Sequence, residues 1–198
     1  MAAQFSRFNR LLMILMISLY LISLGAFSYA NWQADPQHTL WMFAVNAIIL
    51  SIPLVLFYGA IYVLVSAWRE HTQSGQISSR LAKVIHWAPR IAAILIIFFV
   101  SLFSLDVFGM DGTPLELLAG FLIHSLPSIF MILMLLFAWR RPMVGFIAFL
   151  LAGLFFLRFV IIDLNLGNFL LFSGPLLLIS ALFYADWRWL KAQTLTPY

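Results

Sequence analysis

Few side chains in this sequence could do chemistry, and most of those sit inside long apolar runs. His124 is the deepest. It lies about ten residues into an apolar helix, roughly 13–15 Å below the surface at which that helix starts. Pro127 is three residues further on and shares its helical face. A proline has no N–H, so the Ile123 carbonyl is left free. A neutral imidazole beside a free carbonyl could relay a proton, hold a polar group of a solute, or ligate a metal or haem iron. Ligation needs partners at the same depth. His38, His71 and His86 all fall outside the apolar runs, so no metal and no cofactor is expected. A histidine bonded to a neighbouring helix fits the same residues.

Asp106 and Arg158 come next. Each lies near the outer end of its apolar run, close enough to reach the headgroups. Their similar depth permits an ion pair, with Asp163 as the competing partner for Arg158. Such a pair could be a structural clamp or part of a site. Asn46 sits near the outer end of a further run and could hydrogen-bond across helices. Asn46, Asp106, His124 and Arg158 together define a candidate polar pocket in the outer half of the bundle.

Other chemistries lack their residues. There is no HExxH zinc motif, no phosphate-cradling glycine loop and no G-x-S-x-G elbow. No pair of mid-membrane carboxylates marks an intramembrane protease or cation pump. The chain has no cysteine, which removes disulfides and thiol chemistry. These absences weigh against a conventional enzyme.

The elements that must position the polar residues are set by hydropathy. Of the 198 residues 64% are hydrophobic and only 9% charged, too few to cover a water-exposed surface. Six apolar stretches are long enough to span a bilayer as helices: 11–29, 41–67, 90–108, 115–139, 143–162 and 168–189. All seven tryptophans fall at or beside their ends, as an aromatic belt does. Ten of the eleven Lys and Arg residues lie at alternate ends of the six. The remaining connections carry Asp35, then Asp106, Asp111 and Glu116, then Asp163. Basic loops stay inside, so both termini are expected in the cytoplasm. The dispersed bases do not form a nucleic-acid patch. Arg7, Arg10, the first apolar run and Ser28 with Ala30 also resemble a signal peptide, which would leave five spans.

The longest connection, 69–89, is expected inside. Its second half places Ile77, Leu81, Val84 and Ile85 on one helical face. Two readings fit: an amphipathic helix on the inner leaflet, contacting lipid through Arg80, Lys83 and Trp87, or a cytoplasmic extension of the third spanning helix. Spans two, four and six share a Ser-x-Pro element followed by Trp-Arg, with proline-to-tryptophan spacings of 15, 12 and 12. The chain could be three related hairpins. Pro53, Pro127 and Pro175 are expected to kink their helices and free the carbonyls of Ile49, Ile123 and Leu171, within reach of a nearby serine hydroxyl or a water. Kinks at similar depth could line a polar cavity or could serve packing alone.

From His86 onward the sequence resembles a small family of prokaryotic membrane proteins of unknown function. The stretches that carry the resemblance are His86-Trp87-Ala88-Pro89-Arg90, Ser101 to Phe108 with its Leu105-Asp106-Val107-Phe108, Ile123-His124-Ser125-Leu126-Pro127, Ala138-Trp139-Arg140, Gly174 to Leu178 and Asp186-Trp187. They span about residues 86–189. The resemblance implies a four-helix core with an added N-terminal hairpin. It also implies that Pro89, Asp106, His124 and Pro127 belong to a recurring unit. It implies no activity.

The expected fold is therefore an all-α integral membrane protein of six transmembrane helices, arranged as three hairpins, with a short amphipathic helix between helices 2 and 3. Residues 1–68 form the N-terminal hairpin, 69–89 the cytoplasmic linker and 90–198 the four-helix core. Its partners are the lipid bilayer and either a membrane-protein partner or further copies of itself, with no nucleic acid. Its expected place is the cytoplasmic membrane of a prokaryote. Two roles fit: a structural or accessory membrane component, or a small-solute or ion permease built on the kinked helices and His124.

Overall fold

The computed structural model describes residues 2–34, 39–163 and 166–190. Among them the fold is all helical, with no strand. Six rods are long and apolar enough to cross a membrane. They are α1 (Ala2–Ala34), α2 (Leu40–Ser74), α3 (Ser79–Leu102), α4 (Pro114–Arg140), α5 (Pro142–Asp163) and α6 (Leu166–Leu190). A 3₁₀ turn, Phe103–Gly109, extends α3. α6 is one rod whose hydrogen bonding switches to π at Phe169–Ser173 and again at Asp186–Leu190.

Local chemistry sets the ends. The Thr39 hydroxyl accepts from the Met42 N–H at 3.2 Å and starts α2. Gly75 ends it at φ +71°, a left-handed position open to glycine, and its N–H donates to the His71 carbonyl. Thr113 and Glu116 form a reciprocal capping box before α4, with Pro114 in the first turn where no N–H is needed.

The join between α2 and α3 is only Gly75–Ser78. The amphipathic segment is thus the first turns of α3, which runs unbroken through Pro89. The expected separate helix between helices 2 and 3 is not formed. The alternative, an extension of the third helix, is what this sequence builds. The reason lies in what the apolar face covers. Ile77 and Ile85 are buried against Ala67 of α2 and Ala185 of α6, with Leu81, Ala82 and Trp189 around them. The Glu70 carboxylate accepts from the Ser78 N–H at 2.6 Å and fixes the turn. Arg80, Lys83 and Trp87 remain exposed.

The main core lies further along the bundle, among Leu56, Ile96, Phe99, Met131, Leu135, Phe149, Leu176, Ile179 and Phe183. It draws on every rod except α1. So α2 contributes to the core alongside α3 to α6. α1 packs on α2 at the edge, where the Tyr20 and Ser51 hydroxyls lie 3.0 Å apart and those of Ser23 and Tyr58 2.7 Å apart. The Arg69 guanidinium covers the Phe8 ring at 3.7 Å. Only 6% of the α1 span is buried, against 44% for α3 and α6.

Small residues let α5 and α6 approach closely. A Cβ at Gly145 would lie 2.7 Å from the Phe183 ring, and one at Gly153 would lie 2.8 Å from Leu177. Close backbones then allow hydroxyls to bridge helices. Ser173 donates to the Gly153 carbonyl and Ser180 to the Phe146 carbonyl, both at 2.8 Å. Every rod touches the next one in sequence, and α2 and α3 also pack against α6. Contact alone therefore does not divide the chain into three hairpins.

The three Ser-x-Pro elements occupy unlike surroundings. Pro53 and Pro175 are buried, whereas Pro127 is exposed. The serines do not turn to the carbonyls freed by the prolines. Ser51 donates to Ala47 and Ser125 to Phe121, each one turn back, while Ser173 reaches across to α5.

Candidate functional site

The four polar residues singled out by sequence lie on four different elements. Asn46, Asp106, His124 and Arg158 are all exposed, on α2, the 3₁₀ turn, α4 and α5. Among the described residues no hydrogen bond or ion pair joins any two of them. His124 instead pairs its Nδ1 with the Gly120 carbonyl at 2.9 Å, one turn back on its own helix. Among the described residues it makes no hydrogen bond to a neighbouring helix. The Asp163 side chain and His38 lie outside the described residues. The groove beside His124, between α4 and α5, is lined by Leu126, Phe130, Met134, Leu151 and Phe155 and is apolar.

A different set of residues converges. Arg90 and Asp186 are 2% and 4% exposed, the most buried charges described in the chain. Arg90 Nη1 donates to Asp186 Oδ2 at 2.8 Å and also to the His86 carbonyl. Nη2 donates to the Trp139 carbonyl at 3.2 Å. One guanidinium therefore ties α3 to α6 and to α4. Its planar fork suits such divergent acceptors better than an ammonium would.

Each acceptor has a structural origin. Trp139 lies in the last turn of α4, where carbonyls have no partner within the helix. Arg90 caps that turn from another helix. Asp186 stands where α6 passes from α to π hydrogen bonding. His86 is one turn before Arg90 on α3, beside Pro89, whose missing N–H loosens the local ladder.

The other Asp186 oxygen, Oδ1, is 3.2 Å from His86 Nδ1. His86 is half exposed. The carboxylate thus orients an imidazole whose far nitrogen points away from the buried pair. Around it, the Trp87 ring meets the His86 and Trp139 rings edge to face. The Phe183 ring lies 6.0 Å from the guanidinium carbon. Chemically, the cluster can hold three helices in register and present one oriented imidazole beside them. Among the described residues no three His, Cys, Asp or Glu side chains gather as metal ligands.

Charge counting by loops concealed this cluster. Arg90 reads as one of ten bases on the basic side, and Arg158 as the single exception. Glu70 and Asp186 are the opposite exceptions, acids among those bases, and Asp186 is the buried one. A signal was present. Three of the stretches that carry the family resemblance, His86 to Arg90, Ala138 to Arg140 and Asp186-Trp187, supply every member of the cluster.

No curated protein and no solved structure matches the chain. One family model does. It covers residues 78–195, which includes α3 to α6 and every residue of the cluster. With more than half of its length matched, the chain belongs to the family described as a domain of unknown function, DUF7670.

Proposed function

We propose that this chain is an integral component of a prokaryotic cytoplasmic membrane, with six spans and both termini inside, and that its role is structural or accessory. The observation that carries the role is the use made of buried charge. Arg90 and Asp186 join α3, α4 and α6, and the guanidinium is only 2% exposed. Beyond the cluster the main core is a packed set of aliphatic and aromatic side chains. Membrane embedding is supported by the outward faces. Leu118, Leu122, Leu126, Phe130 and Leu133 line the outer side of one helix, a surface water would not tolerate. Orientation is supported by the alternating bases.

The edge helix α1 fits an accessory role. It is apolar, long enough to span and nearly unburied, so it offers a face to lipid or to another helix. A permease would need its kinked helices around a shared polar path. Pro127 faces outward while Pro53 and Pro175 face the core, so the geometry gives that reading no added support.

The test is purification in a gentle detergent with mass spectrometry of everything retained, beside tags on both termini probed from each side of the membrane. A stoichiometric membrane-protein partner and two protected tags are the expected result. Accessible tags outside the cell would overturn the topology. Solute flux through the protein in partner-free vesicles, abolished by His124→Ala, would overturn the role.

A further inference from the structure

A groove runs between α2 and α3 on the side away from α4. It holds about 540 Å³ and is walled by Val55, Gly59 and Val63 on one side and by Trp87 and Leu95 on the other. Its wall is apolar throughout, and at one end it includes the alkyl stem of the exposed Lys83. Lys83 and Leu95 are twelve residues apart on α3, about 18 Å at 1.5 Å per residue. Half of a bilayer's hydrocarbon is about 15 Å. The groove is therefore one leaflet deep, with a cation and a tryptophan at a single end. Arg80 is exposed one turn beyond Lys83. The groove is open at Gly59, where a Cβ would meet nothing within 4 Å.

We propose that this groove seats one phospholipid with an anionic headgroup. An acyl chain lies along Gly59 and Leu95, and the phosphate rests on Lys83 beside the Trp87 ring. Charge selects the occupant. A neighbouring helix would fill the apolar slot equally well but would give Lys83 no anion, and a zwitterionic lipid carries its own cation beside the phosphate. Basic residues at the cytoplasmic end of an interhelical slot are the arrangement that recognises anionic headgroups. The indole at the same level suits the interface, with an apolar body and a polar edge. The proposal rests on the topology proposed above only for which leaflet supplies the lipid.

The full-length chain is reconstituted into vesicles of equal phosphatidylglycerol and phosphatidylcholine, extracted gently, and examined by native mass spectrometry. One retained phospholipid is expected, with phosphatidylglycerol favoured about fivefold, the worth of one basic residue near an anionic surface. Lys83→Gln should bring that preference to parity. Lys83 is exposed, so this variant should fold normally. Gly59→Phe should place a ring in the slot and lose the lipid, with the unfolding midpoint unchanged or raised. Retained lipid that mirrors the input mixture, a preference that survives Lys83→Gln, or retention unchanged in Gly59→Phe would each overturn the proposal. Because the chain has no cysteine, Gln73→Cys in the same vesicles reports sidedness separately. In cells, labelling of that cysteine from outside would reverse the leaflet and the topology, while the lipid preference would stand or fall by itself.

Discussion

Removing the Asp186 carboxylate should be among the most damaging single changes in this protein. Asp186→Ala leaves the Arg90 guanidinium 2% exposed with only the His86 and Trp139 carbonyls to accept from it. Stranding one partner of a buried pair costs about 3–5 kcal/mol. Arg90→Ala strands the carboxylate instead, removes the cap on α4 and should cost a similar amount. The double variant Arg90→Met with Asp186→Leu removes both charges and keeps the volume filled. Such a replacement is often neutral or stabilising in itself. It still leaves the Trp139 carbonyl without its donor, a loss of about 1–3 kcal/mol. The double variant should therefore be more stable than either single one. The coupling, taken as the sum of the single effects less the double effect, should be about 4 kcal/mol or more. Reversible unfolding in mixed micelles, followed by tryptophan fluorescence, supplies all four stabilities. Single losses below about 1 kcal/mol, or effects that simply add, would refute the view that these groups are a buried, mutually dependent pair.

Three further outcomes follow from named contacts, each read by the same unfolding measurement. Gly145→Ala drives a methyl to 2.7 Å from the Phe183 ring and should cost about 1–3 kcal/mol, whereas Gly25→Ala meets nothing within 4 Å and should be neutral or stabilising by up to about 1 kcal/mol. Thr113→Ala breaks the capping box at α4 and should cost about 0.5–2 kcal/mol, seen also as faster amide exchange at Glu116. His124→Ala should change stability by no more than about 0.5 kcal/mol, because the ring is exposed and bonds only its own helix; a loss above 2 kcal/mol would show a tertiary partner.

The rods themselves were legible because lipid demands them. Twenty apolar residues with tryptophan and bases at the ends leave little choice of structure. The caps at Thr39, Gly75 and Thr113 were likewise written in local residue types. What failed to show was depth around the helix axis. His124 and Arg90 differ little in their flanking hydropathy, yet one faces outward and the other is sealed inside. In a chain this apolar every face looks the same, so periodicity cannot say which side meets protein. The segment after Gly75 kept its apolar face for the same reason. An amphipathic stripe fits a membrane surface and a neighbouring helix equally, and Ala67 and Ala185 decided for the helix.

The two apolar clusters leave Arg90 and Asp186 in an unusual place. On α3 the charge falls between Ile85 of one cluster and Ala92 of the other, and on α6 Asp186 sits between Ala185 and Trp189 of the smaller cluster, one turn from Phe183 of the larger. α2 is about 52 Å long, well beyond a hydrocarbon layer of about 30 Å. The bundle thus has two storeys, and the charged layer is the floor between them. The lower room, built on Ile77 and Ile85, is expected to open and close independently while the one above stays dry.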